Sequence, residues 1–134
     1  MHTHPLVLLA TSTLVALSAT AQAPRLTKNG GGLGGALACP IEGEPNAPFA
    51  LLFDLIEIPT FVPALGVQLD ISTQFAWWTA NTPGFVGTLD GAGTATPTVT
   101  VPADPTLQDC VFSFQAISGA GPYQVSNLAR VTPQ

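Results

Sequence analysis

Residues 94–117 read TATPTVTVPADPTLQDCVFSFQAI, and their spacing decides the fold. Thr94, Thr96, Thr98 and Thr100 recur at every second position, with Ala95, Pro97, Val99 and Val101 between them. After a Pro102-Ala103-Asp104-Pro105 turn the alternation resumes. Cys110, Phe112, Phe114 and Ala116 face one way; Val111, Ser113, Gln115 and Ile117 face the other. A period of two is strand spacing, and it leaves one sheet face for a core and one for solvent. Pro97 has no N–H to donate, so the first of these strands lies at an edge or bulges there. Asp104 is expected to cap its own turn by accepting backbone N–H groups.

The flanking sequence follows the same grammar. Phe49–Glu57 (FALLFDLIE) puts Phe49, Leu51, Phe53 and Leu55 on one face, with Leu52 and Ile56 joining Asp54 on the other. Leu51, Leu52, Leu55 and Ile56 also fit a helical period, but Pro48 and Pro59 leave scant room for three helical turns, which favours a strand. Leu65–Ile71 alternates strictly, and Phe75–Thr79 (FAWWT) reads as another short strand. Phe85–Leu89 is followed by Asp90-Gly91, a hairpin signal that Ala92-Gly93 extends. The Ser-Gly-Ala-Gly-Pro turn (118–122) leads to a last strand over Tyr123–Thr132. About seven short strands joined by short turns predict an all-β, antiparallel sandwich of immunoglobulin-like or jelly-roll-like kind.

Composition agrees and bounds the function. Thirteen glycines and thirteen prolines in 134 residues suit strands punctuated by turns. Only 8% of residues are charged, against roughly 25% in ordinary soluble domains. A formal charge of −5 without a basic stripe argues against nucleic-acid binding.

The chain opens with an export signature. Pro5–Ala19 (PLVLLATSTLVALSA) is too short to span a bilayer, which takes about 20 apolar residues. It leads to Ala19-Thr20-Ala21, the small-x-small pattern that signal peptidase reads. Residues 1–21 are therefore expected to be a signal peptide, although its leading segment holds His2 and His4 and no Lys or Arg. Secretion to the exterior or the periplasm follows, and no second apolar span comes after it. Residues 22–38, with Asn29-Gly30-Gly31-Gly32-Leu33-Gly34-Gly35, read as a flexible leader. The sandwich is then expected over residues 39–134. Its two cysteines, Cys39 and Cys110, are an even count in an exported chain and predict a disulfide. Closing so long a loop would stabilise the fold by about 4 kcal/mol in the chain-entropy model.

Several elements together resemble β-sandwich modules of secreted bacterial proteins of unknown function. They are Cys39-Pro40, Pro48-Phe49-Ala50-Leu51, Asp90-Gly91-Ala92-Gly93-Thr94-Ala95, Val101-Pro102-Ala103-Asp104-Pro105-Thr106-Leu107, Phe112-Ser113-Phe114-Gln115-Ala116 and Ser126-Asn127-Leu128-Ala129-Arg130-Val131. The resemblance implies a sandwich and an extracellular setting. It implies no activity.

Catalytic chemistry has little to work with. Removing residues 1–21 takes away both histidines, and with them a Ser-His-Asp triad, a Cys-His pair and an imidazole zinc site. Lys28, the only lysine, lies in the glycine-rich leader. Glu42/Glu44 and Asp104/Asp109 are near in sequence but sit on turns, without a recognised calcium-ligand spacing. No cofactor is expected and no enzyme. Trp77-Trp78 is the one binding feature: on a strand, if one fills the core the other lies outside. An exposed indole there could stack on a sugar ring or anchor a protein contact. Tyr123 and Gln68 are candidate polar partners for it. The expected role is a structural or interaction module for an extracellular protein or polysaccharide, the alternative being a carbohydrate-binding module.

Overall fold

The computed structural model describes residues 23–119 and 121–134. The expected signal peptide lies outside the described residues. Thirteen short strands are present among the described residues, every pairing antiparallel. Strands β1 (Arg25–Leu26), β2 (Asn29–Gly30), β3 (Ala36–Ala38) and β4 (Ile41–Glu42) precede the long strand β5 (Pro48–Asp54). The hairpin β6 (Thr60–Val62) and β7 (Val67–Leu69) comes next, then the short helix α1 (Ala76–Asn81). Strands β8 (Val86–Thr88), β9 (Thr94–Ala95) and β10 (Thr98–Thr100) lead to a 3-10 turn at Pro105–Leu107. The second long strand, β11 (Phe112–Ser118), is followed by β12 (Gln124–Val125) and β13 (Ala129–Val131).

The architecture is an all-β sandwich. One layer is the sheet β12-β11-β5-β8, with β13 pairing the start of β11. The facing layer consists of two small sheets, β1-β4-β9 and β10-β3-β2. Leu26, Leu37, Cys39 and Ile41 from this layer meet Leu51, Phe114 and Ala116 in the main core. The register that pairs Phe114 with Phe53 and Ala116 with Leu51 sets those side chains on one face. On the opposite face, Leu52 and Ile117 receive Val67, Leu69 and Ile71 from the β6–β7 hairpin and the residues after it. The central sheet is thus covered on both sides, where the alternation of β11 predicts a solvent face. Ser113 and Gln115, expected outside, are buried.

The glycine-rich leader is a further correction. Arg25 and Leu26 pair with β4, and Ala36–Ala38 pairs with β10, so residues 25–38 supply strands of the sandwich. Leu26 and Leu37 provide the apolar burial that the glycines between them cannot.

Thr94–Val101 changes sheet at Pro97: β9 pairs with β4, and β10 pairs with β3. The Pro97 carbonyl still accepts the Cys39 N–H at 2.9 Å, so the missing donor costs one bond at the switch. Asp90 closes the preceding turn, accepting the N–H groups of Ala92 and Thr94. Gly93 has φ +80°, and a Cβ there would run into the Gly43 carbonyl, so only glycine fits.

Two expected strands are shorter than their hydrophobic runs. Asp54 turns the chain out of β5 by accepting the Ile56 N–H at 2.9 Å, which leaves Leu55 and Ile56 exposed. The expected strand over Tyr123–Thr132 is split around Ser126–Leu128. There Ser126 donates its hydroxyl to the Asn127 carbonyl, and the Asn127 side chain bonds both backbone groups of Leu26.

The expected Cys39–Cys110 disulfide is absent; both cysteines are free thiols. Cys39 follows β3 and is fully buried between the layers. Cys110 ends the 3-10 turn rather than lying on β11, and its thiol donates to the Thr106 carbonyl at 3.5 Å. The second sulfur is drawn back onto its own turn, away from the core face that its place in the alternation implied.

Candidate functional site

The residues that could carry function gather around α1. Phe75–Thr79 is not a strand: Ala76–Asn81 is a helix that packs on β5 where β8 has ended. The decisive spacing is Phe75, Trp78, Thr79 and Thr82, which places four residues on one helical face. Phe75 stacks on Phe53 at 5.2 Å, and Trp78 sits edge-on to both Phe53 and Phe85. Thr79 donates its hydroxyl to the Leu51 carbonyl at 2.9 Å, satisfying an acceptor of β5. Thr82 and Asn81 donate their side chains to the carbonyls of Trp78 and Trp77, closing the helix end. Successive helical residues are turned by about 100°, so Trp77 points away from the sheet and is 63% exposed.

The two tryptophans therefore serve different surfaces. Trp77 stands on the outside of α1 and lines neither groove described below. Trp78 lines an apolar recess between the layers, about 280 Å³ in volume and open at the surface. Phe53, Phe112 and Phe114 form its wall on one sheet, Leu37, Val99 and Val101 on the other. Leu107 and Pro133 stand over its end, and Thr100 is the one side chain in the lining with a hydroxyl. Water inside the recess would find almost no hydrogen-bonding partner.

A second, shallower groove of about 500 Å³ runs between α1, the β6–β7 hairpin and the edge strand β8. Phe61 on β6 and Val86 on β8 flank it at 61% and 55% exposure. Ala76 and Ala80 give the helix a flat wall there.

Charged groups are engaged locally. Glu57 accepts two hydrogen bonds from the Arg130 guanidinium, at 2.6 and 2.7 Å, and one from the Ser113 hydroxyl at 2.6 Å. The guanidinium and the hydroxyl hold its carboxyl down at about 2, and Glu57 in turn raises Arg130 above its ordinary value. The Thr94 N–H and hydroxyl hold Asp90 below the usual carboxylate range, and the Thr106 N–H does the same for Asp104. That is the turn-capping role expected of Asp104. Glu42 lies on β4 opposite Arg25, at 3.8 Å, while Glu44 is exposed in the turn before β5. Asp109 is also exposed, with φ 68°. Asp54 is fully buried; one oxygen accepts from Ile56 and from the Gln74 amide, and the other has no partner among the described residues.

Of the residues singled out by sequence, Trp77 and Trp78 share α1, but Gln68 and Tyr123 are not brought to them. Gln68 lies on β7 opposite Phe61, and Tyr123 leads into β12. Cys39 and Cys110 are both free thiols, the first buried and the second half-exposed. What sequence reasoning missed is Phe61 and Val86. Their signal was an apolar residue on the outward face of a short strand, which looks the same whether it is exposed or covered.

No family model matches the chain, and no curated protein matches it. Among solved structures it is similar to the human OSCAR ligand-binding domain, at 15% identity and a TM-score of 0.40. The likeness covers 84% of this chain and 47% of that one, so the chain spans about half the length of that structure. Among the described residues, no helix is long and apolar enough to cross a membrane.

Proposed function

We propose that this chain is a secreted, non-enzymatic interaction module acting at the cell exterior, of the kind found in secreted bacterial β-sandwich proteins. The observation that carries the reading is the exposure of Trp77, 63% on the outer face of α1. Phe61 and Val86 are separately exposed along the groove on the other side of the helix, which Trp77 does not line. A large aromatic anchor beside an apolar groove suits a protein contact, where aromatic residues dominate the binding energy. The non-enzymatic reading rests on the absence of histidine after residue 4 and on carboxylates spent on Arg130, Gln74 and turn N–H groups.

Site-specific photo-crosslinking in the exported protein tests this. A benzophenone side chain at position 77 or 61 is expected to give adducts of defined mass, and one at the exposed Thr96 is expected to give none. Equal labelling at all three positions, or none at 77 and 61, removes the contact surface.

The second reading is a carbohydrate-binding module, favoured by the same exposed indole, which offers a stacking face for a sugar ring. Its support is thinner, because Gln68 and Tyr123 lie on other elements and supply no hydroxyl-reading groups beside Trp77. Co-sedimentation with insoluble polysaccharide that is lost in Trp77→Ala would favour this reading over the first.

A further inference from the structure

We propose that the recess between the two layers is a binding site for a small, neutral, apolar ligand: a single alkyl chain of medium length or a compact ring. This site is separate from the contact surface at Trp77 and stands or falls without it.

The walls carry the argument. Both layers contribute: Phe53 and Phe112 from one, Leu37 and Val99 from the other, with Trp78 closing the side and Leu107 the end. Phe53, Trp78, Phe112, Val99 and Leu107 are large apolar side chains that pack against the core yet stay only partly buried. Their uncovered surface faces one concave space instead of being scattered. Burying it is favourable in proportion to the apolar area removed from water, and water cannot do this.

Charge defines the ligand further. No residue in the lining is charged, and its only polar side-chain groups are the Thr100 hydroxyl and the Trp78 indole N–H. Arg130 is tied to Glu57, and Arg25 lies beside Glu42, so neither cation serves the recess. A carboxylate or phosphate headgroup would enter without a partner, into a chain of net charge −5. The volume, about 280 Å³, lies just below the range of roughly 300–1,000 Å³ for small-molecule pockets. That admits one short chain or ring and excludes a two-chain lipid.

The experiment uses the exported protein with Trp77→Phe, so that Trp78 is the sole indole and reports on the recess. Decanol is titrated against decanoate, with Trp78 emission and Tm as readouts. Saturable change in emission is expected with decanol, together with a Tm rise of about 4 °C or more at saturation. Decanoate is expected to bind at least about tenfold more weakly. Val99→Phe fills the recess from within and Leu107→Phe from its end; each is expected to abolish the response, and neither adds a second indole. Leu107→Phe stands on the surface turn and keeps the test usable should Val99→Phe not fold. Three results would overturn the site: no response to decanol, equal binding of decanoate, or a response that survives Leu107→Phe.

Discussion

The Trp78 indole meets the Phe53 ring edge-on, with centroids 4.8 Å apart and planes at 82°. This contact is one of those joining α1 to the central strand β5, and the same indole also abuts Phe85 just before β8. Trp77, its chain neighbour, shares none of these contacts. Truncating the two is therefore expected to have opposite consequences. Trp78→Ala should destabilise the fold by about 3 kcal/mol in urea titration, through lost burial and a cavity. Trp77→Ala should stay within about 0.5 kcal/mol of the parent. Equal losses would mean that α1 does not sit as described.

The cysteines behave as two unlike thiols. Burial pushes Cys39 up to about 11, so it stays protonated and shielded at neutral pH. Cys110 is half-exposed on the 3-10 turn. In the native exported protein one thiol is expected to react promptly with Ellman's reagent, and the second only once denaturant is added. Cys110→Ser should remove the prompt reaction while leaving the delayed one. A native protein with no titratable thiol in denaturant would restore the disulfide that the even cysteine count suggests.

Glu57 makes stability depend on acid. Its ordinary value of 4.5 is lowered to about 2 by Arg130 and Ser113. A carboxyl depressed on folding contributes stability that is present above its unfolded value and lost as pH falls through its folded one. Stability is thus expected to decline between about 4.5 and 2. Asp90 and Asp104, both lowered by their own turns, act in the same direction. Glu57→Gln should make the decline shallower, as read from urea midpoints across that range. An unchanged slope would show that the ion pair does not persist in solution.

Much of the sandwich was legible in the chain because alternation is a local property. Val67, Leu69 and Ile71 point inward, and Phe49, Leu51, Phe114 and Ala116 make the core face, as their spacing requires. Pro97 marks the switch between sheets for the same local reason. What could not be read depends on distant partners. Ser113 and Gln115 look like solvent-facing residues until Glu57 accepts the Ser113 hydroxyl and Asp70, just past β7, takes up the Gln115 amide. Leu26 and Leu37 are two apolar residues in a glycine-rich stretch, and only pairing with β4 and β10 orders them. Phe75–Thr79 is rich in aromatic residues suited to strands, yet Phe53, Phe85 and the Leu51 carbonyl reward the helical spacing. At the candidate site, the pair of tryptophans was visible but the exposed member was not, since that choice rests on what Phe53 and Phe85 offer Trp78.

Gln115 is the test of the covered face. It is 1% exposed, and its amide is fully used. The carbonyl oxygen accepts the Asp70 N–H at 2.9 Å, while the nitrogen donates to the Asp70 carboxylate at 3.0 Å and to the Ser126 carbonyl at 2.9 Å. Gln115→Glu keeps the shape but turns that double donor into an acceptor facing a carboxylate and a carbonyl. A buried donor lost in this way leaves unpaired acceptors and adds like-charge repulsion, costing about 3 kcal/mol or more at neutral pH. The sign with pH is the reverse of that for Glu57. Burial and Asp70 would raise the new carboxyl above its unfolded value, so Gln115→Glu should recover stability as pH falls and that carboxyl is protonated. Gln115→Met removes the hydrogen bonds without adding charge and should show a loss that varies little with pH. Urea midpoints for both variants between neutral pH and about 4 decide the matter. A Gln115→Glu protein as stable at neutral pH as the parent would mean that β6–β7 does not close over the central sheet.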